Sequence, residues 1–233
     1  MMPIPDLEEP GRYFETDFIN SRFIKIETDD LLEVSMQYPA LGMKYAEKDC
    51  FVREEVYEKL CRASKELPRG YKIKILDTWR PFLLQKELYE TYSKDIIKEF
   101  ELNLCTEDQR KAVIRKFVSE PIEDMDVPPV HTTGGAVDVT IVDNEGQELE
   151  MGTKFDAFSD KTYTAFFENE KNEMVRENRR LLYNTMVGQG FTNLPSEWWH
   201  FDYGNKFWAF YKKKKAIYRG VFTKEELNGT RQS

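Results

Sequence analysis

Histidine is scarce in this chain, whose 233 residues include two, His131 and His200. Each histidine lies in a short segment that also contains metal-binding or proton-transferring residues, HTTGGAVD and SEWWH respectively. With so few histidines, a catalytic zinc would need a carboxylate as its third protein ligand, and two imidazoles with one carboxylate are a standard set. The shortage of histidine therefore narrows the search for a catalytic centre to these two segments.

Cysteines are also few, and basic residues are fewer than acidic residues. The three cysteines, Cys50, Cys61 and Cys105, are odd in number and lack the spacing of a metal site, which favours reduced thiols in a cytoplasm over a disulfide framework. The 34 basic residues are outnumbered by 42 acidic residues, which gives a net charge of −8. Because binding to nucleic-acid phosphates needs a surplus of Lys and Arg, this charge argues against a nucleic-acid partner.

The sequence has no long apolar run and no segment typical of a linker. No run approaches the ~20 apolar residues that a membrane-spanning helix needs, and the first residues, MMPIPDLEEPGRYFE, do not follow the pattern of a signal peptide. We therefore expect a soluble, cytoplasmic protein without a membrane partner. We also expect one domain over residues 1–233, with a frayed polar tail at residues 224–233.

The two histidine segments supply a candidate metal site. Asp138 follows His131 and is the natural third ligand, whereas Glu197, which precedes His200, is left free to act as a general base. Taken alone, each histidine is more often a hydrogen-bonded structural residue, and Asp138 could cap a turn. Their occurrence together favours the metal site. Residues three apart on a regular strand point to opposite faces, so Glu197 and His200 can share a site only if the chain turns or bulges between them.

Helices and strands alternate along the chain without internal repeats. Residues 71–76, YKIKIL, alternate apolar and lysine side chains as a half-buried strand does, and Pro81 suits the first turn of the helix that follows. Residues 136–142 form a β-rich run that places Asp138 near the start of a strand. The segment SEWWHFDY predicts a further strand, and a second aromatic strand is expected from Phe207 onward.

The motifs HxxGxAxD, from His131 to Asp138, and ExWH, from Glu197 to His200, resemble those of the D-alanyl-D-alanine dipeptidases of the vancomycin-resistance type. These are zinc peptidases related to the D,D-carboxypeptidases, and their fold is similar to that of the hedgehog signalling domain. The segment MGTKFD, at residues 151–156, resembles one in the dipeptidase branch. The resemblance implies a single α+β domain in which helices flank a central, mainly antiparallel sheet.

The same resemblance implies a role for each candidate residue in the hydrolysis of a small dipeptide such as D-alanyl-D-alanine. The family often has serine just ahead of the first ligand histidine, where this chain has Pro129 and Val130. The substrate contacts of that serine are therefore not implied here. The implied set comprises His131, Asp138 and His200 as zinc ligands, Glu197 as general base, Arg80 as the oxyanion-stabilising cation, and Asp156 and Tyr45 as substrate-binding residues.

Three alternatives remain open at this stage. A D,D- or L,D-carboxypeptidase that acts on peptidoglycan peptides is the nearest one. A non-haem iron oxygenase also uses two histidines and a carboxylate, and a non-catalytic metal-binding domain could share the fold. The presence of both Glu197 and Arg80 favours a hydrolytic enzyme. The preferred substrate residues, the role in resistance, cell-wall turnover or nutrient salvage, and assembly into a homo-oligomer are left open.

Overall fold

The computed structural model describes residues 1–11 and 15–230. Within these residues the chain forms seven strands and seven α-helices. The strands are β1 (Phe23–Ile26), β2 (Leu32–Val34), β3 (Cys50–Arg53), β4 (Lys72–Asp77), β5 (Ala136–Val142), β6 (Thr192–Asn193) and β7 (His200–Asp202). The helices are α1 (Gln37–Ala40), α2 (Glu54–Lys65), α3 (Phe82–Glu99), α4 (Glu107–Ile114), α5 (Glu173–Gly188), α6 (Lys206–Lys212) and α7 (Lys224–Thr230).

A five-stranded sheet occupies the centre of the fold, with the strand order β2-β4-β5-β7-β6. Strands β2 and β4 are parallel, whereas β4 with β5, β5 with β7 and β6 with β7 are antiparallel pairs. Strands β1 and β3 form a separate antiparallel pair. This architecture confirms the expected α+β class with a central, mainly antiparallel sheet.

One face of the central sheet forms the main hydrophobic core. Successive side chains of a strand point to opposite faces, so Val137, Val139 and Ile141 of β5 share one face, and all three are fully buried. Burial of each stabilises the fold by about 1.5–3 kcal/mol. The same cluster contains apolar side chains of α2 and α5, namely Val56, Leu60, Ala63, Leu182 and Met186. The opposite face of β5 carries Asp138, so the polar site and the core lie on different sides of one strand.

A register shift in β4 brings a second carboxylate to the polar face. Ile75 pairs with Val139 and Asp77 pairs with Asp138, which leaves Leu76 as an extra residue on β4. In a regular ladder Ile75 and Asp77 would point to the same face, and the bulge removes this constraint. Asp77 therefore lies on the face of Asp138, at the point where β4 ends and the chain turns toward α3.

Several predicted elements are confirmed. The strand expected at residues 71–76 is β4, and the strand expected at residues 136–142 is β5 (Ala136–Val142). Pro81 precedes the first residue of α3 and serves as its N-cap. These elements could be predicted because each has a strong local signal in the sequence, namely the composition and periodicity of a strand in β4 and β5 and a proline at the start of α3.

Two predictions about the C-terminal part are wrong. Phe207 lies in α6 rather than in a strand. The side-chain oxygen of Asn205 accepts hydrogen bonds from the main-chain N–H groups of Phe207 and Trp208 and so caps the start of this helix. Residues 224–230 are not frayed but form α7. Its Leu227 is fully buried in a cluster with four residues from other parts of the chain, Phe23, Phe51, Trp79 and Val221. The rest of the predicted tail, residues 231–233, lies outside the described residues.

No helix within residues 1–11 and 15–230 is both long and apolar enough to cross a membrane.

Candidate metal centre

His131 lies in a short 3₁₀ helix, Val130–Thr133, immediately before β5. This helix ends at Gly134, whose φ of 70° is in the left-handed region that favours glycine. A Cβ atom there would lie 2.2 Å from Cε1 of Phe23, so a larger residue would also clash. The glycine in HTTGGAVD thus allows the chain to turn sharply from His131 into the strand that carries Asp138.

Asp138 and His200 are placed by the pairing of β5 with β7. The two residues lie directly opposite each other in the antiparallel register, so their side chains share one face of the sheet. Nδ1 of His200 is 3.0 Å from Oδ1 of Asp138. Both side chains are buried, as is that of His131. Two of the three predicted ligands are therefore fixed by main-chain pairing rather than by loops.

The three predicted ligands converge on one point. Nε2 of His131 is 3.2 Å from Nδ1 of His200 and 3.5 Å from Oδ2 of Asp138. A tetrahedral zinc with ligands at about 2.0–2.2 Å separates its ligand atoms by roughly 3.3–3.6 Å. The spacing of these three atoms therefore fits a zinc ion, and their geometry supports the predicted ligand set.

The protonation of the two imidazole rings also fits a bound cation. Nδ1 of His131 lies 2.8 Å from the main-chain oxygen of Thr78, which can only accept, so this nitrogen carries the proton and Nε2 presents a lone pair. His200 lies between two carboxylates, because its Nδ1 hydrogen-bonds to Asp138 and its Nε2 lies 3.0 Å from Asp202. A metal ion bound at Nδ1 would take the place of the proton there and leave the ring proton on Nε2, next to Asp202. Nε2 of His131, Nδ1 of His200 and the Asp138 carboxylate could then all present lone pairs to one cation.

The buried charges shift the pKa values of the ligands. Burial opposes ionisation of Asp138, but His131 and His200 hold its pKa well below the usual range. Burial also opposes the charged form of His200, but Asp202 and Asp138 raise its pKa well above the usual value. The local field therefore favours an ionised Asp138 and positive charge at the centre of the cluster.

Glu197 lies beside the cluster in a turn that precedes β7. The main-chain N–H of His200 donates to the oxygen of Glu197, so the chain folds back on itself between these residues. This is the turn that the sequence required. Oε2 of Glu197 lies 3.7 Å from Nδ1 of His200, and the side chain remains 24% exposed. Burial raises the pKa of Glu197 to about 8; His200 opposes this rise and Asp138 adds to it.

Arg80 lies near Asp138, in the short segment between β4 and α3. Its Nε donates to Asp77, its Nη1 to Gln85 and its Nη2 to the hydroxyl of Tyr38, at 2.9, 2.8 and 3.2 Å. Nη2 also lies 3.6 Å from Oδ2 of Asp138. Nη2 lies 2.8 Å from Oδ2 of Asp77 as well, so of the five N–H donors of the guanidinium these contacts leave one, on Nη1, for a further acceptor. The charge is fixed in orientation and remains able to bind an oxygen atom of a substrate.

Asp156 follows the segment MGTKF and has a left-handed backbone, with φ of 55°. Its Oδ2 accepts hydrogen bonds from the hydroxyls of Tyr38 and Tyr92, at 2.8 and 2.9 Å. Burial and the charge of Asp138 raise the pKa of Asp156 to about 6, although both tyrosines and Arg80 oppose this rise. Asp156 is therefore an oriented carboxylate that is mainly ionised at neutral pH.

The structure brings six of the seven predicted site residues to one narrow cavity of about 40 Å³. Tyr45 is the exception. Its side chain is 38% exposed and its ring lies beneath the ammonium group of Lys44, outside the lining of the cavity. The six lining residues are Arg80, His131, Asp138, Asp156, Glu197 and His200.

Four further residues orient the site and were given no role by sequence reasoning. Tyr38 and Tyr92 are distant from Asp156 in the sequence and carry no local signal. Asp77 precedes Arg80 by three residues, and Asp202 follows His200 by two, so both spacings offered a hint. A carboxylate two residues from a histidine on a strand points to the same face as that histidine.

Two buried histidines, a buried aspartate, an adjacent carboxylate and a fixed guanidinium around one cavity are the groups that a metal-dependent hydrolase requires. Comparison with known families makes the class more specific. The profile of the peptidase M15 family, described as D-ala-D-ala dipeptidase, matches residues 33–217, which is more than half of the chain. The chain therefore belongs to this family of peptidases. Its membership confirms the resemblance found in the sequence and excludes the oxygenase alternative.

Two curated proteins match this chain over similar lengths. A D-alanyl-D-alanine dipeptidase of Synechocystis sp. is 27% identical over 191 residues, which cover 74% of this chain and 77% of that protein. A D-alanyl-D-alanine dipeptidase of Escherichia coli is 26% identical over 183 residues, which cover 76% and 86%. Among solved structures, a mutant of the vancomycin resistance D,D-pentapeptidase VanY in complex with Zn(II) matches with a TM-score of 0.40 and 15% identity, covering 74% of this chain and 85% of that one. The family assignment rests on the sequence matches alone.

Proposed function

We propose that the protein is a zinc-dependent dipeptidase that hydrolyses D-alanyl-D-alanine or closely related dipeptides. The observation that carries the proposal is that one cavity is lined by the three ligands, by Glu197 and Arg80, and by Asp156. The names of the family and of the relatives supply the substrate class.

His131, Asp138 and His200 would hold the zinc. A zinc ion bound here would act as a Lewis acid and lower the pKa of its bound water to about 7, so that hydroxide would be available as the nucleophile at neutral pH. Burial favours the neutral form of Glu197, and the positive charge of a zinc ion beside it would restore the ionised form, which accepts a proton from the attacking water and delivers it to the nitrogen of the leaving amine. Its position in a turn beside His200, with the carboxylate partly exposed to the cavity, suits a group that must transfer protons without being a ligand.

Arg80 binds the carbonyl oxygen as negative charge develops on it. Loss of one such preorganised donor costs about 2.7–4 kcal/mol of transition-state stabilisation in other hydrolases. The hydrogen bonds of Arg80 to Asp77 and Gln85 hold its side chain in place before the substrate binds. The enzyme therefore does not need to reorganise this charge during the reaction.

Asp156 binds the free ammonium group of the first substrate residue. The hydroxyls of Tyr38 and Tyr92 occupy its Oδ2 atom and fix the orientation of the carboxylate. A charge-assisted hydrogen bond from the ammonium group then selects substrates with a free amine next to the scissile bond. This distinguishes a dipeptidase from a carboxypeptidase, which accepts a longer, uncharged chain at the same side.

A hydrolysis panel on zinc-loaded protein tests the proposal. We expect rapid cleavage of D-Ala-D-Ala, slower cleavage of L-Ala-D-Ala and L-Ala-L-Ala, and little or none of N-acetyl-D-Ala-D-Ala. Protein treated with a chelator is the control and should cleave none of them. Preferential cleavage of the N-acetylated peptide would instead identify a D,D-carboxypeptidase.

The domain organisation, location, biological role and assembly of the enzyme are further parts of the proposal. A single domain over the whole chain, a cytoplasmic location, a role in peptidoglycan metabolism and assembly into a homo-oligomer are each compatible with the family.

A further inference from the structure

Asp202 is a completely buried carboxylate on β7, and the proposed reaction does not use it directly. It follows His200 by two residues, so both side chains point to the same face of the strand. Its neighbours across the sheet are Ala136 on β5 and Thr192 on β6. A carboxylate in such a position is costly unless it is hydrogen-bonded or paired with a cation, so a specific role is expected for it.

The imidazole of His200 is the group that Asp202 contacts through its Oδ1 atom. Nε2 of His200 lies 3.0 Å from this oxygen. Within residues 1–11 and 15–230, Nε2 of His200 and Oδ2 of Asp202 are both buried without a hydrogen-bond partner, although buried polar groups are almost always satisfied. The carboxylate of Asp202 is therefore the acceptor available to the proton on this side of the ring.

Asp202 has no competing cation close to it. None of the lysine or arginine side chains in the described residues forms an ion pair with it, and Lys206 is near enough only for a longer-range attraction. The amide of Asn205 donates to the same carboxylate and helps to fix its orientation. The side chain is thus held in one orientation, with Oδ1 toward the ring of His200.

The two ligand histidines are oriented in different ways. His131 donates from Nδ1 to the main-chain oxygen of Thr78, with a carboxylate oxygen of Asp77 farther away at 3.4 Å, and faces the centre with Nε2. His200 has the opposite arrangement, with Nε2 toward Asp202 and Nδ1 toward Asp138. An anionic acceptor makes the opposite ring nitrogen a stronger electron donor than a neutral acceptor does. The pairing with Asp202 therefore affects both the direction and the basicity of one ligand.

We propose that Asp202 is a positioning residue of the metal centre, which fixes His200 in the Nε2–H form so that Nδ1 faces the metal. This inference rests on the proposed metal site and extends it to a residue outside the three ligands. Loss of the charge at Asp202 should weaken zinc binding, since removal of such a partner lowers metal affinity about 10-fold to 100-fold in other proteins.

The first test compares zinc affinity by competition with a chelator in three proteins. Asp202→Asn keeps the size of the side chain and an acceptor oxygen but removes the charge, and it should bind zinc about 10-fold to 100-fold more weakly than the wild type. Glu168→Gln is the matched control, because it removes the charge of another poorly exposed carboxylate, one that pairs with Arg180 and contacts none of the metal ligands. Its zinc affinity should equal that of the wild type.

The second test reads the tautomer directly and does not depend on catalysis. Because the chain has only two histidines, nitrogen NMR of zinc-loaded, ¹⁵N-histidine-labelled protein should resolve both rings. We expect one Nδ1–H ring, His131, and one Nε2–H ring, His200, with the second signal shifted in Asp202→Asn. Wild-type protein that binds no zinc would overturn the proposed function itself. Wild-type zinc binding with unchanged affinity in Asp202→Asn, or an Nδ1–H form of His200, would overturn only the role of Asp202.

Discussion

The metal-binding side of the cavity and its substrate-binding side are held by different parts of the fold. Asp138 and His200 lie opposite each other on paired strands, so the sheet itself sets their separation. Asp156 lies in an irregular segment with a left-handed backbone and depends on the hydroxyls of two tyrosines for its orientation. The metal site is therefore fixed by main-chain pairing of two strands, whereas the orientation of the substrate-binding carboxylate depends on side-chain hydrogen bonds from two helices.

This difference indicates how the two sides should respond to change. A substitution on the metal side removes a ligand from a rigid set and should abolish activity. A substitution on the substrate side should alter which peptides are bound while the metal remains in place. The following predictions test this separation, beginning with the largest expected effect.

Replacement of a ligand should remove the metal. Wild-type protein should hold about one zinc per chain, and chelation should abolish peptidase activity that added zinc restores. His200→Ala removes one of three ligands and should lose both zinc and activity. Metal analysis by mass spectrometry of purified protein measures the first, and a D-Ala-D-Ala assay measures the second. Stoichiometric zinc in His200→Ala would contradict the ligand set.

Replacement of Glu197 should separate catalysis from metal binding. Glu197→Gln keeps the size of the side chain but cannot accept a proton, so activity should fall by about 10² or more. Zinc content should stay at the wild-type level, because Glu197 lies beside the ligands rather than among them. If zinc is lost together with activity, Glu197 is a ligand and the cluster must be reassigned.

The contrast between the two sides also explains which residues sequence reasoning could find. The ligand motif and the general base Glu197 follow from local spacing, and β5 was predicted with its observed limits because valine, threonine and isoleucine, which favour strands, make up most of its residues. Glu197 and His200 were compatible only if a turn separated them, and the structure contains that turn. In each case the physical cause acts within about ten residues of chain.

The residues that were missed depend on tertiary contacts. Tyr38 and Tyr92 reach Asp156 from α1 and α3, and no periodicity in the sequence indicates such a meeting. Tyr45 was suggested by a three-residue similarity, but its side chain lies at the surface. The helix α7 was mistaken for a frayed tail because its single buried residue, Leu227, is surrounded by polar neighbours in the sequence. Thr223 and Glu226 nevertheless exchange the two hydrogen bonds of a capping box, which was a local signal for a helix start.

On the substrate side, Asp156→Asn should change selectivity rather than metal content. Loss of the charge leaves the substrate ammonium without its partner, which should cost about 2–5 kcal/mol of binding in the cavity. The strong preference for D-Ala-D-Ala over its N-acetyl form should therefore disappear, while zinc content stays unchanged. Asp160→Asn, an exposed position in the same segment, is the matched control and should behave as the wild type.

The same carboxylate predicts a pH dependence. Because burial raises the pKa of Asp156 to about 6, the group becomes protonated and loses its charge as the pH falls through this value. The KM for D-Ala-D-Ala should therefore rise on the acidic side of about pH 6 and reach a low plateau above it. Asp156→Asn should lack this step. An identical step in that variant would assign the titration to another group.

The smallest expected effect comes from the tyrosines that orient Asp156. Tyr92→Phe removes one hydroxyl that donates to Oδ2, so the ionised carboxylate loses a stabilising hydrogen bond of about 1.5–3 kcal/mol. The pKa of Asp156 should rise, and the pH step in KM should move to a higher value while kcat on the plateau stays near that of the wild type.

Tyr38→Phe is the variant to compare with Tyr92→Phe, because the Tyr38 hydroxyl also accepts a hydrogen bond from Arg80. That variant should shift the same step and in addition lower kcat, since the guanidinium loses one of the groups that hold it beside the reacting carbonyl. A fall in kcat of equal size in both variants would show that the two sides of the cavity are coupled through the tyrosines rather than held separately.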